Sequence, residues 1–288
     1  MKRYFIKLKK GSQEMLSEVI QKYLNTDEQE AEALIRGGSV WNVEENKRLT
    51  DPALLITEET LKINKPLHPA YPYELPEEFV IYEDDVLLVV YKEAGLASHP
   101  TPYSQVECLA YGAREYVRRR EKNETITVSV INRLDRPTRG LLLLSRGKKA
   151  EASLHALFRE KKVSKAYLAV TPALEVPPLS LRITDTLEWN GKEKPAETRL
   201  RYHGRCGEKD VFFVFPRTGR THQIRKHFAR YLAPLWGDSR YGSPYKGPLG
   251  LICFSYSFVH PLTGEKMRIT LPRKCLEEML FSDGEKKR

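Results

Sequence analysis

Apolar residues recur at helical spacing near the start of the chain, which predicts a helix over residues 12–24. Thr26 followed by Gln29 is typical of a capping box for a second helix, which Gly37-Gly38 would end. Short strand-like segments follow this second helix. The pattern therefore predicts a small N-terminal unit made of two helices and short strands.

From Phe79 onward, β-branched and aromatic residues form runs of strand length, and two segments with helical spacing lie between them. The predicted strands are 86–91, 141–145, 165–170, 211–215 and 251–258, the predicted helices are 150–161 and 221–231, and a hairpin turn is predicted at Pro261–Gly264. Strands with interspersed helices predict a mixed α+β domain.

Residues 65–76 carry four prolines, which predicts an extended linker. We therefore expect a small domain at 1–65, a linker at 66–78 and a larger domain at 79–281. The charged tail, 282–288, is expected to be disordered.

The chain has 48 Lys and Arg against 38 Asp and Glu, giving a net charge of +10, which favours a polyanionic partner such as RNA or DNA. The four cysteines are far apart and form no CxxC pair, so a zinc knuckle is unsupported and a reducing cytoplasm is expected. The charged first residues lead into no apolar segment, so no signal peptide is predicted. The apolar runs are too short to span a bilayer.

Asp135 is the first candidate for chemistry. It lies in a polar turn before an apolar strand, and Arg133, Arg136 and Arg139 are all within four residues of it. Nearby cations favour the ionised carboxylate, which suits a nucleophile or a general base. A salt-bridged structural aspartate in a turn is the alternative interpretation.

A second cluster, Thr218–His227, opens the predicted helix at 221–231. Helix N-termini favour phosphate, Arg220 adds charge, and Arg225 could bind a carboxylate with two hydrogen bonds. Ile224 lies on an apolar helical face, where core packing is the simpler explanation. His222 and His227 are five residues apart, a poor spacing for one metal ion.

Lys165 and Tyr167 form a third cluster on one face of a predicted strand. Tyr167 could stack on a base, although tyrosines in strands more often serve packing alone.

Together these motifs resemble those of the RluA family of RNA pseudouridine synthases. The family's HRLDxxTSG stands here as NRLDRPTRG at Asn132–Gly140, and GRTHQIRxH is intact at Gly219–His227. The K-x-Y strand motif stands at Lys165–Tyr167, and further matches lie at Tyr82–Pro100 and Gly237–Gly242. HPxTGE at residues 260–265 completes a series in the family's order.

The resemblance implies a largely antiparallel sheet with a central cleft, in which a flipped uridine is isomerised with no cofactor and no metal. It implies that Asp135 is catalytic, that Tyr167 stacks on the base and takes part in the final deprotonation, and that Arg225 pairs with Asp135. Ile224 would then pack against uracil, and Arg133 would lie near the flipped nucleotide. Arg139, Arg220 and His222 complete the expected substrate-binding set.

The N-terminal unit resembles an S4 RNA-binding domain at Leu34–Val40 and Asp51-Pro52. In S4 units the second helix and the following turn face RNA, which makes Arg36, Lys47 and Arg48 the candidates. We expect a cytoplasmic monomer whose partner is rRNA or tRNA.

Two departures from the family motif leave an alternative open. The family's histidine is Asn132 here, and its serine before Gly140 is Arg139. A catalytically silent RNA-binding or folding factor is therefore the second hypothesis. An aspartate-dependent hydrolase is disfavoured, because the residues around Asp135 are basic where such an enzyme would have a second carboxylate.

Overall fold

The computed structural model describes residues 2–8, 11, 13–68, 70–189 and 191–281. These residues form two compact units, one of Met1–Leu75 with Ala97–Ile126 and the other of Pro76–Leu96 with Thr127–Arg288. The sequence predicts one continuous domain at 79–281, whereas in the structure residues 97–126 group with the first unit. The predicted tail 282–288 lies outside the described residues.

The first unit combines a four-stranded antiparallel sheet with three helices. Its elements are β1 (Lys2–Lys7), β2 (Glu14–Met15), α1 (Leu16–Leu24), α2 (Glu28–Arg36), β3 (Val40–Asn42), β4 (Lys47–Leu49), β5 (Leu55–Ile56), β6 (Thr60–Lys65) and α3 (Leu109–Glu121). The strand order is β1-β6-β3-β4, and β2 pairs with β5. Apolar side chains of α1 and α2 pack with those of one sheet face to form a buried core.

The helix starts differ from those predicted. Helix α1 begins at Leu16, because Met15 has an extended backbone and its N–H donates to the Glu18 carboxylate. Asp27, rather than Thr26, caps α2 by accepting the Glu30 N–H at 2.7 Å. An aspartate is a stronger helix cap than a threonine, so the cap moved by one residue.

The predicted linker ends in a 3₁₀ helix at Glu77–Phe79, and the residues before this helix are not a free spacer. The Tyr73 N–H donates to the Val106 carbonyl at 3.0 Å. A Cβ placed on Gly112 would lie 2.5 Å from the Tyr73 ring, so the chain passes directly over α3. The segment up to Leu75 therefore packs within the first unit.

The second unit contains one large sheet flanked by helices. Its elements are β7 (Val80–Glu83), β8 (Leu87–Lys92), β9 (Val128–Val130), β10 (Arg139–Arg146), α4 (Lys148–Arg159), β11 (Ser164–Pro172), β12 (Ser180–Trp189), β13 (Lys192–Cys206), β14 (Lys209–Pro216), α5 (Gln223–Tyr231), β15 (Leu251–Val259), β16 (Lys266–Thr270) and α6 (Arg273–Phe281). The main strand order is β12-β13-β14-β11-β15-β10-β8-β7, with β16 added to β15 and β9 to β10. The predicted mixed, largely antiparallel α+β class is confirmed.

All five strands and both helices predicted after residue 79 are present, and the Pro261–Gly264 turn joins β15 to β16. The long β12–β13 hairpin was not predicted. Its strands are rich in charge, and only part of one face is buried, so they lack the apolar runs used to find the others. No helix in the described part of the chain is long and apolar enough to cross a bilayer.

Pairing around β15 brings the candidate residues together. Among the named strand pairs of this sheet, β10 and β15 form the parallel one, with Gly140 opposite Cys253. Strand β11 pairs with the other edge of β15 and places Tyr167 opposite the same Cys253. The turn that carries Asp135 and the strand that carries Tyr167 therefore meet at one end of β15.

We predict that Gly140→Ala destabilises the protein strongly. Gly140 has φ +119°, and a Cβ there would lie 2.2 Å from the Cys253 carbonyl oxygen, within the backbone of β15. The two strands would have to separate, at a cost of about 3 kcal/mol or more in the free energy of unfolding. Denaturant unfolding measures the loss.

Gly147→Ala is the matched control, since Gly147 has φ +82° and open space around its Cα. Its cost should be limited to the strained backbone at φ 82° and ψ 154°, about 1–3 kcal/mol. Equal losses in the two variants would contradict the proposed clash at Gly140.

Candidate active site

Asp135 lies in the loop between β9 and β10, in a turn closed by a hydrogen bond from the Thr138 N–H to the Asp135 carbonyl at 2.9 Å. Its side chain is 20% exposed, so the carboxylate is open to a ligand while its backbone is fixed. The chain can enter β10 directly after this turn because Gly140 accepts the close approach of β15.

Asn132 anchors the start of the same loop. Its side-chain amide donates to the Tyr256 hydroxyl at 2.6 Å, and this hydroxyl donates to the Leu141 carbonyl at 3.3 Å. Tyr256 is fully buried in β15. The residue that departs from the family motif thus ties the loop to the sheet.

Lys92 supports the same loop at Arg136, the residue after Asp135. It is fully buried at the end of β8, and its ammonium group donates to the carbonyls of Glu93 and Leu96, each at 2.8 Å, and of Arg136 at 3.2 Å. The Gly95 N–H also donates to the Arg136 carbonyl. Burial lowers the pKa of Lys92 to about 8, and the charge of Asp135 opposes this shift.

Arg225 is held between two aspartates. Its Nε and one terminal nitrogen donate to both oxygens of buried Asp238, at 2.8 and 2.7 Å. Its other terminal nitrogen lies 3.7 Å from the Asp135 carboxylate. Burial works against the charged guanidinium, but Asp238 and Asp135 outweigh it and raise the pKa of Arg225. The expected Arg225–Asp135 proximity is present, yet the tighter partner is Asp238.

His222 and Tyr241 complete the surroundings of the carboxylate. The His222 Nε2 lies 3.8 Å from Asp135, and its Nδ1 is 2.8 Å from the Tyr241 hydroxyl. The Arg225 guanidinium lies 5.0 Å from the centre of the Tyr241 ring. Burial lowers the pKa of His222, and the charge of Asp135 acts in the opposite direction. The net lowering of the His222 pKa favours the neutral imidazole.

Tyr167 and Lys165 come from β11 and line the same cleft as Asp135. Tyr167 is 7% exposed, and burial raises its pKa well above 10, with Cys253 and Asp135 acting in the same direction. Burial also lowers the pKa of Lys165. The tyrosine is thus a neutral phenol in the lining of this cleft.

Two adjoining cavities form this cleft. A cavity of about 90 Å³ is lined by Asp135, Tyr167, Ile224 and Arg225, and it opens beside one of about 870 Å³. Both are lined by Asp135 and Lys165. The larger volume lies in the range of small-molecule and cofactor sites. We call the smaller cavity the floor and the larger one the outer cleft.

The outer cleft is strongly basic. Its cationic lining residues are Arg133, Arg159, Lys161, Lys165, Arg199, Arg217 and Arg220. Asp135 is the acidic residue in the same lining. Such a concentration of positive charge around one carboxylate suits a polyanion whose uncharged part reaches inward.

Gln223 of the Gly219–His227 motif lines the floor and also holds the surrounding loop in place. The Gln223 amide group donates to the Glu197 carbonyl and the Thr198 hydroxyl, while its oxygen accepts from Thr218 and the Arg220 N–H. These bonds hold the loop that precedes α5 against β13. Sequence analysis had no means to separate such supporting residues from reacting ones.

The predicted substrate-binding residues divide into two groups. Arg133, Arg220, His222 and Ile224 all line the cleft. Arg139 is not among the described residues that line either cavity, and it begins β10 opposite Ile252. Its Nε is buried. The suggested phosphate contact of Arg139 therefore lacks structural support.

Sequence analysis did not identify Asp238 or Tyr241 as site residues. Both belong to the Gly237–Gly242 motif, and the motif match alone assigns no role to its residues. Among the described residues, no group of three or more His, Cys, Asp or Glu is arranged to hold a metal ion. The expected independence from metals and cofactors stays a prediction.

Sequence comparison identifies the family. The profile described as RNA pseudouridylate synthase matches residues 86–230, about half of the chain and the part that carries Asp135, Tyr167 and Arg225. The chain belongs to this family of isomerases.

Curated relatives include ribosomal large subunit pseudouridine synthase C of Buchnera aphidicola subsp. Schizaphis graminum, 33% identical over 67% of this chain and 66% of that protein. The protein of the same name from Escherichia coli strain K12 is 32% identical over 70% of both chains. The match thus spans about two thirds of the length of these relatives.

Solved structures confirm the synthase fold. Human RNA pseudouridylate synthase domain containing 4 superimposes with a TM-score of 0.57 at 20% identity, covering 70% of this chain and 92% of that one. Human RNA pseudouridylate synthase domain containing 1 gives 0.54 at 22% identity, covering 69% and 85%. The expected S4 character of the N-terminal unit remains a prediction.

We predict that Asp238→Asn in this synthase lowers the isomerisation rate at least ~10-fold while RNA affinity changes little. The amide offers only one acceptor oxygen, so Arg225 loses its two-bond partner and turns from the geometry that faces Asp135. Single-turnover kinetics and an RNA-binding isotherm separate the two effects.

The control is Asp185→Asn, which breaks the ion pair between Asp185 on β12 and Arg230, a residue of the same helix α5 that carries Arg225. That aspartate is outside the cleft lining, so the rate should be unchanged. Equal rate losses in the two variants would show that Asp238 acts only through the stability of α5.

We predict that Lys92→Met lowers the free energy of unfolding at pH 7 by about 2 kcal/mol, at ~1 kcal/mol for each of the Glu93 and Leu96 carbonyls, since the Arg136 carbonyl keeps the Gly95 N–H as a donor. Because the pKa of Lys92 falls to about 8 from 10.5, the native state binds fewer protons than the unfolded state between these values. The stability of the wild type relative to the variant should therefore rise with pH across that window. Urea unfolding at pH 7 to 10 tests this, and a gap that narrows would refute it.

Proposed function

We propose that this chain converts a specific uridine of ribosomal RNA to pseudouridine, with Asp135 as the catalytic group and no cofactor. The observation that carries the proposal is the Asp135 carboxylate, which lies 3.7 Å from a fixed guanidinium at the floor of a basic cleft. The relatives' names support ribosomal RNA as the substrate.

The uridine would leave its helix and enter the floor, at a cost of a few kcal/mol that is least where the base is unpaired. The basic outer cleft supplies compensating contacts to the flanking phosphates. Arg133, exposed beside Asp135, is placed to contact the displaced nucleotide. Ile224 and Tyr167 would pack against the uracil ring.

The reaction breaks the bond from the sugar to a ring nitrogen and forms one to a ring carbon. The carbon then loses its proton, and the nitrogen gains one. The Asp135 carboxylate can act on either the base or the sugar, and the Arg225 guanidinium 3.7 Å away would hold its orientation along both routes.

Tyr167 receives a narrower role than the sequence implied. A neutral phenol whose pKa is well above 10 is a poor proton acceptor at physiological pH. We therefore assign Tyr167 to stacking and to hydrogen bonding with the base, and we do not assign the final deprotonation to it.

The departure at Asn132, which motivated the alternative of a catalytically silent RNA-binding factor, has a structural explanation. Asn132 departs from the family motif, but it bonds to Tyr256 and holds the loop in place. Asp135, Arg225 and Tyr167 line one cleft. Asn132 thus supports the loop, and the reacting group is retained.

We predict that Asp135→Asn abolishes isomerisation, with a rate loss of at least ~10³-fold, while RNA binding stays within ~3-fold. The amide keeps the shape of the side chain but loses the charge required of a nucleophile or base. Ribosomal RNA from cells that lack this gene serves as substrate, and carbodiimide labelling with primer extension detects pseudouridine.

Asp85→Asn is the matched control, because Asp85 is exposed in the turn before β8. It should retain full activity. Pseudouridine formation by Asp135→Asn at the wild-type rate would remove the catalytic assignment, and an unmodified RNA with wild-type enzyme would remove ribosomal RNA as the target.

A further inference from the structure

A row of four side chains crosses the sheet of the first unit on the face opposite its core. The strand register places Phe5 beside Lys62, Lys62 beside Trp41, and Trp41 beside Arg48. Residues directly opposite each other in antiparallel strands project from the same face, with Cβ atoms about 5 Å apart. Aromatic and cationic groups therefore alternate across four strands.

At the Arg48 end of the row, hydrogen bonds within the first unit fix the side chains. The Arg48 guanidinium lies 4.5 Å from the centre of the Trp41 ring and donates to the carbonyls of Gly38 and Thr101. The Trp41 Nε1–H donates to the Pro102 carbonyl at 2.9 Å. These bonds fix the orientation of Trp41 and give Arg48 a structural role in addition to its charge.

The other end is open. The Phe5 side chain is 62% exposed, and Arg3 and Lys7, two positions away on the same strand and the same face, are exposed too. Lys62 lies between Phe5 and Trp41 in the row, and its Nζ is 5.1 Å from the centre of the Trp41 ring. Glu44 accepts a hydrogen bond from the Thr60 N–H and offsets the charge of Lys7, so the excess positive charge lies toward Arg3 and Lys62.

We propose that this sheet face binds a single-stranded segment of RNA, with one base stacked on Phe5 and the adjoining phosphates neutralised by Arg3 and Lys62. An exposed aromatic ring among cations on an antiparallel sheet is the arrangement by which proteins hold unpaired nucleotides. An apolar protein partner would have to bury these cations without compensation, which is costly. A polyanion compensates each of them.

This surface differs from the RNA contacts expected from the sequence. Register places Lys47 opposite Asn42, on the other face of the sheet, and Arg36 is paired with Glu32 on α2. The proposed sheet face also belongs to a different unit from Asp135, and it performs no chemistry. Its role is to add affinity for RNA.

Binding of a fluorescein-labelled oligouridylate to the full-length protein, followed by fluorescence anisotropy at several salt concentrations, tests the proposal. Phe5→Ala should weaken binding ~10-fold through the lost stacking. Lys62→Gln should also weaken it and reduce the slope of log affinity against log salt by ~0.7. Tyr23→Ala is the matched control, since Tyr23 is 50% exposed on α1, and it should bind as the wild type does.

Crosslinking separates this face from the cleft. An oligouridylate that carries 4-thiouridine should crosslink to the β1 or β6 peptides, and Phe5→Ala should suppress that crosslink. Asp135→Asn should bind the oligouridylate like the wild type, so failure of the catalytic proposal leaves this one standing. Wild-type affinity in both Phe5→Ala and Lys62→Gln, crosslinks confined to the cleft, or no binding by the wild type would overturn it.

Discussion

The site depends on one guanidinium shared between two carboxylates. Asp238 takes two donors of Arg225 at hydrogen-bond distance and is itself almost fully buried, while Asp135 meets the remaining nitrogen at 3.7 Å. Because the tight pair is the supporting one, the looser carboxylate keeps oxygen lone pairs available for a substrate. A lysine at position 225 could not serve both partners, since it lacks the planar fork.

A second constraint is the close approach of β10 and β15. Gly140 allows this parallel pair to begin immediately after the Asp135 turn, and Cys253 on β15 faces both Gly140 and Tyr167. Lys92 holds the outer side of the turn through the Arg136 carbonyl. The carboxylate is therefore positioned by backbone contacts on both sides, and preorganisation of this kind lowers the cost of reaching a reactive geometry.

Much of this arrangement could be predicted from the sequence. The strands with long apolar runs, such as β8 and β10, are buried on both faces and were found. The β12–β13 hairpin was missed because its exposed face is charged, and the α2 cap was displaced by one residue. The resemblance to the family motifs correctly predicted that Asp135 and Arg225 lie close together.

The supporting partners could not be predicted in the same way. Asp238 is thirteen positions after Arg225 and reaches it only through the turn that follows α5, so no helical or strand periodicity links them. Arg139 looked like a cleft residue because it is close to Asp135 in sequence. Strand direction decides where its side chain points, and the motif alone does not carry that information.

The arrangement of charge in the cleft has a consequence for how a nucleotide would be oriented. Four of the seven cations of the outer cleft do not line the floor: Arg159, Lys161, Arg199 and Arg217. The floor is about a tenth of the volume and has apolar side chains in its lining, among them Tyr167 and Ile224. A phosphate is therefore favoured in the outer cleft, while a flat uncharged ring fits the floor, so charge and size together would sort the two ends of a nucleotide.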